Sequence, residues 1–151
     1  MNAHGYERQT ADLDLLVRTA DRESWHALMT SLGYQVFHEQ GAFLQLSPPA
    51  DSAWPVDLMF VNDTTFSTML AEASKIHLTG AEVKIPSLDH LLALKLHALK
   101  HTHFRRELKD LLDVITLIEI HQIDIKGEKF RKLCERYGSS QVYEKIAAAS
   151  R

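Results

Sequence analysis

Two aspartates set two residues apart in an apolar run constrain this chain more than any other feature. In Asp12-Leu13-Asp14-Leu15-Leu16-Val17 the apolar residues are nearly continuous, which reads as a short and largely buried strand. Residues i and i+2 of a strand share one face, roughly 6.5–7 Å apart, so Asp12 and Asp14 are expected side by side. Aspartate is depleted in strands, and two like charges on a partly buried face repel. A cation or a shared proton between them removes that conflict. A hard divalent ion such as Mg2+ (or Mn2+) prefers carboxylate oxygens and keeps waters that phosphate can replace. An exposed strand end whose acids bind nothing is the bland alternative, and for an isolated pair it is the better one. Asp57 reverses that preference, because it interrupts a second apolar strand, Val56-Asp57-Leu58-Met59-Phe60, in the same way. Three acids on neighbouring strands could hold two metals about 3.5–4 Å apart, an arrangement suited to in-line phosphoryl displacement.

The remaining pattern is α+β, a small mixed sheet flanked by helices with a helical C-terminal half. With 151 residues, 45% hydrophobic and 25% charged, the chain is expected to form a single domain over 1–151. Sheet and helices mix over 1–86, and 87–151 is mainly helical. Asp21 is a candidate cap for a helix carrying Trp25, Leu28, Met29 and Leu32, which Gly33 ends. Tyr34 to His38 and Ala42 to Ser47 read as a hairpin around Gly41, and Pro55 to Val61 as a third strand. Asn62 or Asp63 can cap a helix with Phe66, Met69, Leu70 and Ala73, and Glu82 to Ile85 reads as a short strand. Ser87 then caps the first of three helices, expected over about 88–100, 105–121 and 127–137.

Several function classes fall away on composition. The 17 Lys+Arg against 20 Asp+Glu leave a net charge of -3, so there is no global basic field for a long nucleic acid. A single cysteine, Cys134, excludes an intramolecular disulfide and a Cys-based zinc cage; in a helical stretch it reads as a partly buried structural thiol. No run reaches the roughly 18 apolar residues of a membrane span, and the first residues lack the apolar core of a signal peptide. The expectation is a cytoplasmic protein with no membrane partner.

Lys95 sits in an almost continuous apolar run, Ser87 to Leu99, on one face with Leu88, Leu91, Leu92 and Leu99. Such a lysine either snorkels to solvent or directs its ammonium at an anion, and spacing alone leaves both open. Lys100, Arg105, Arg106 and Lys109 form a local basic cluster that reads as a solvated helix face, or as a surface for a phosphate-bearing partner. Asp110 and Asp113, one turn apart, are expected to pair with Lys109, Arg106 or another basic residue of the chain. His97 and His101 have the i,i+4 spacing of zinc ligands, with His103 close by. Without a third-ligand motif the pair reads as surface histidines. His4 is ambiguous.

The stretch His4-Gly5-Tyr6-Glu7-Arg8-Gln9-Thr10-Ala11-Asp12-Leu13-Asp14-Leu15-Leu16-Val17 resembles the small nucleotidyltransferases related to AbiEii-type toxins. These lie within the superfamily that includes DNA polymerase beta and the CCA-adding enzymes. The likeness continues through Leu32-Gly33-Tyr34, Val56-Asp57-Leu58 and the segment around Lys95, and it ends in Arg106 to Asp113. It covers about three-quarters of the chain, in the family's order. It implies a nucleoside triphosphate bound through Mg2+, and transfer of its nucleoside monophosphate to an unknown acceptor (a small molecule, a protein or tRNA). By position, Asp12 and Asp14 match the metal-binding pair and Asp57 the third, catalytic carboxylate. Lys95 matches a lysine near the phosphates, with Arg8 and Thr10 in the turn before the metal strand. A toxin-like role would bring an antitoxin-like partner.

The family pattern also has an apolar strand ending in Gly-Gly or Gly-Ser before the aspartate pair, where backbone can approach phosphate. This chain opens at Met1-Asn2-Ala3-His4-Gly5, without that pair. The expectations that follow are weak nucleotide affinity and either an upstream true start or loss of the element. An unpaired sheet edge is expected as well, leading to a homo-oligomer or to first residues held over the gap. Two alternatives to the transferase reading share its residues. One is a catalytically degenerate nucleotidyltransferase fold serving as a nucleotide-binding or protein-interaction module. The other is a metal-dependent phosphohydrolase using a positioned water.

Overall fold

The apolar run at the start of the chain forms β1 (Leu13–Arg18), and the aspartate just before it, Asp12, lies in a bend. The computed structural model describes residues 12–101 and 104–149. They belong to two compact units, one within Gln9–Glu72 and the other running on from Ala73.

In the first unit a single 3-10 turn (Thr19–Asp21) leads into α1 (Arg22–Ser31), followed by β2 (Gln35–Gln40), β3 (Phe43–Ser47), β4 (Val56–Val61) and α2 (Asp63–Ala71). Asp21 stands at the N-cap of α1, but its side chain makes no capping bond there; it accepts from Arg18 Nε at 3.0 Å instead. Gly33 closes α1 with a left-handed φ of 85°, and Gly41 turns the β2–β3 hairpin with a φ of 57°. Asn62 caps α2 as expected, its Oδ1 accepting from Thr65 N at 2.8 Å.

The four strands order as β1-β4-β3-β2, with β1 parallel to β4 and the other pairs antiparallel. Strand alternation sorts side chains onto two faces. Leu13, Leu15 and Val17, Leu44 and Leu46, and Val56, Leu58 and Phe60 share one face, which packs with Trp25 and Met29 of α1 and with Tyr34. The expectation of a largely buried β1 is corrected here: only Val17 is fully buried. The reason is topological, because among the described residues β4 is the only strand beside β1, and Leu16 lies on the face opposite the core.

The second unit opens with a hairpin of β5 (Ser74–Leu78) and β6 (Ala81–Ile85), then α3 (Leu88–His101), α4 (Phe104–Ile120), α5 (Glu128–Tyr137) and α6 (Ser140–Ala149). The hairpin belongs with the helices rather than with the first sheet. Ser87 Oγ accepts from His90 N at 3.3 Å and caps α3. Leu92, Leu96 and Leu99 of α3 meet Val114, Leu117 and Ile118 of α4, Phe130 and Cys134 of α5, and Val142 and Ile146 of α6 in one apolar core. No described helix is long and apolar enough to cross a membrane.

Candidate functional site

The sheet face turned away from the α1 core carries the acids. In the parallel β1–β4 ladder Asp14 is in register with Asp57, so the two carboxylates stand on adjacent strands with backbones about 4.8 Å apart. The antiparallel β3–β4 ladder sets Gln45 opposite Asp57, and β2 sets His38 opposite Gln45. One polar rung, His38–Gln45–Asp57–Asp14, therefore crosses all four strands. The sequence expectation set Asp12 beside Asp14 on one strand with Asp57 on a neighbouring one; the sheet places Asp57 in register with Asp14. Asp12, half-buried in its bend, is one residue short of the ladder.

Asp14 is exposed and Asp57 half-buried. The Gln45 side-chain amide donates to Asp57 Oδ2 at 3.0 Å. Further along the same face Arg18 holds its Nε on Asp21 and lays its guanidinium over the Phe66 ring, 5.5 Å from the centroid. Thr19 Oγ1 donates to Val61 O at 3.1 Å and ties the end of β1 to the end of β4. Among the described residues no three His, Cys, Asp or Glu side chains are grouped so as to hold a metal by themselves. Two carboxylates across one rung nevertheless fit Mg2+, which is bound through one or two carboxylates and keeps several waters.

Lys95, in the helical unit, directs its ammonium at an anion rather than at solvent. Its Nζ lies 2.9 Å from Asp113 Oδ2 and 3.4 Å from Asp110 Oδ1. Among the described residues Lys95 is thus a basic partner of these two acids, while Arg106, another that the sequence offered, has its side chain outside them. Asp113 is fully buried, the only buried charged side chain among the described residues. A buried carboxylate requires a close cation, and the apolar setting of Lys95 on α3 supplies it from the facing helix. Arg8, Thr10 and His4, and the side chains of Arg105, Arg106, His101 and His103, lie outside the described residues. Lys100, Lys109 and His97 are exposed.

Cys134 is buried in the helical core, and that burial, helped by the charge of Glu135, pushes its thiol up to about 11. It is an apolar filler at neutral pH, as the sequence suggested. Gln45 was missed by sequence reasoning. A glutamine between Leu44 and Leu46 looks like an ordinary outward residue until β3 is known to lie beside β4.

A family model described as an uncharacterised nucleotidyltransferase matches residues 3–150. No curated protein matches the sequence. Among solved structures, the chain is similar to the antibiotic-resistance factor ANT(2'')-Ia at 14% identity and a TM-score of 0.48, covering 94% of this chain and 71% of that one. It is also similar to an antigenic nucleotidyltransferase-like protein from Paracoccidioides brasiliensis at 16% identity and a TM-score of 0.47, covering 93% and 74% of the two chains.

Proposed function

We propose a function from this premise: the chain belongs to the uncharacterised nucleotidyltransferase family. It transfers a nucleoside monophosphate from a nucleoside triphosphate to an acceptor, with Mg2+ (or Mn2+) held by Asp14 and Asp57 and with Asp12 beside them. The observation that supports this is the in-register pairing of Asp14 with Asp57 on the sheet face opposite the core.

When bound, the metal supplies charge neutralisation and orientation for the triphosphate. The chain's own residues do the rest. Asp14 and Asp57 fix the ligand oxygens on two hydrogen-bonded strands, which hold position better than loops. Asp57 is the carboxylate proposed to accept the acceptor's proton. By the resemblance alone, Lys95, Arg8 and Thr10 are proposed for phosphate binding, with structural support of the turn as the other role of Arg8 and Thr10. Kinship to AbiEii-type toxins, an antitoxin-like partner, self-association and a cytoplasmic location belong to the same proposal at its finer grain.

A degenerate fold acting as a nucleotide-binding or protein-interaction module is the second reading. It is favoured by the ion pairs of Lys95, the lysine matched to the phosphates, with Asp113 and Asp110. Calorimetric titration with each nucleoside triphosphate, with and without Mg2+, separates the two, alongside transfer of label from α-labelled triphosphates to protein and tRNA. The transferase reading expects Mg2+-dependent binding, lost in Asp14→Asn and Asp57→Asn, together with labelled product. Nucleotide binding that ignores Mg2+ and both substitutions sinks it and leaves the module.

A further inference from the structure

We propose that Gln45 is a positioning residue that sets how Asp57 meets a divalent cation and so selects an ion of the Mg2+ class over Ca2+. This deepens the function proposed above and rests on its reading of Asp14 and Asp57 as metal carboxylates.

Gln45 sits on β3 between Leu44 and Leu46, both buried in the α1 core. Alternation sends its side chain to the other face, and the β3–β4 register sets it directly across from Asp57. There its Nε2 donates to Asp57 Oδ2 at 3.0 Å. Only the nitrogen of a glutamine amide can donate to a carboxylate, so this contact decides which way the amide points. Asp57 in turn has one oxygen, Oδ2, engaged by this bond.

That asymmetry matters for the choice of ion. Mg2+ demands near-octahedral geometry at about 2.0–2.1 Å and accepts single carboxylate oxygens among its waters. Ca2+ takes roughly 6–8 oxygens at longer range and readily uses both oxygens of one carboxylate. A hydrogen bond that occupies Oδ2 opposes the two-oxygen mode and leaves the one-oxygen mode open. Hydrogen-bond partners of metal carboxylates commonly act in this way, orienting the ligand from behind. The three residues concerned, Asp14, Asp57 and Gln45, lie on three adjacent strands of one sheet. If Gln45 only filled a half-buried polar position, its loss would change stability and leave ion preference alone.

The test is Mn2+ binding to the full chain by calorimetry, followed by displacement with Ca2+. It compares wild type with Gln45→Met, which keeps length and shape, and with Gln45→Leu as a second variant; Asp57→Asn is the control. Urea unfolding of each variant is recorded in parallel. The expected result is about tenfold weaker Mn2+ binding in the Gln45 variants, with Ca2+ binding weakened less, so that the Mn2+/Ca2+ preference falls several-fold. Wild-type binding that Asp57→Asn abolishes, with an unchanged preference in both Gln45 variants, overturns the role of Gln45 alone. That role is equally overturned if only the unfolding midpoints move. No Mn2+ binding by wild type overturns the metal reading and this inference with it.

Discussion

At the scale of single residues, the most consequential contact is Lys95 on Asp113. Removing one member of a buried ion pair leaves its partner charged and poorly solvated, which typically costs about 3–5 kcal/mol. Asp113 is fully buried and Lys95 mostly so. Lys95→Met is therefore expected to lower the unfolding free energy in urea by about 3 kcal/mol. The double change Lys95→Met/Asp113→Leu should recover part of that, because it removes the buried carboxylate together with its ammonium neighbour. A double variant no more stable than the single one would show that the pair is not what holds these helices. Any loss of nucleotide binding must be measured in folded variants, since the same lysine is the proposed phosphate contact. Cys134 offers a second test. The folded chain holds its thiol proton until about pH 11, against an ordinary value of 9.0. The stability this group contributes is whole below pH 9 and drains away as pH rises through 11. Between those limits wild type is expected to lose stability more steeply than Cys134→Ala, measured by urea unfolding at several pH values. Parallel slopes would contradict it.

At the scale of elements, Gly33 shows why one helix ends where it does. Its φ of 85° suits glycine, and an added Cβ would stand 3.1 Å from the Pro49 Cβ. Gly33→Ala should destabilise the first unit by about 1–2 kcal/mol, through backbone strain and this close approach. Thermal unfolding measures it, and an unchanged midpoint would place the end of α1 under other control. Element boundaries were legible wherever a cap or a breaker stood beside an apolar pattern. Asn62 before α2, Ser87 before α3 and Gly33 after α1 are the clear cases. Two elements were not legible. β5 joins β6 through Thr79-Gly80, both with positive φ, and a β-branched threonine is a poor advertisement for such a turn. α6 buries only Val142 and Ile146, too sparse a stripe to stand out before an alanine tail, although Ser139 Oγ accepts from Val142 N at 3.2 Å.

At the scale of the whole molecule, β2 is an outer strand whose six residues are all exposed, including Phe37 at 77%. Exposed edges with apolar side chains recruit further strands. Scattering across a concentration series is expected to show association that Phe37→Lys reduces. A wild type that stays monomeric at high concentration would remove the expectation. The sequence by itself determined the α+β class, the strands that carry Asp14 and Asp57, the helix carrying Lys95 and the resemblance to nucleotidyltransferases. Each of these is local chemistry: alternation, helical spacing, caps, and an acid where an apolar residue belongs. Only the tertiary structure decided that Asp57 stands in register with Asp14, that Gln45 holds Asp57, and that Lys95 lies on Asp113 and Asp110. The physical reason is that strand order and register are set by the burial of a whole face at once. Likewise, the partner of a buried charge is chosen by which helix packs against its own, and neither quantity is encoded at any single position.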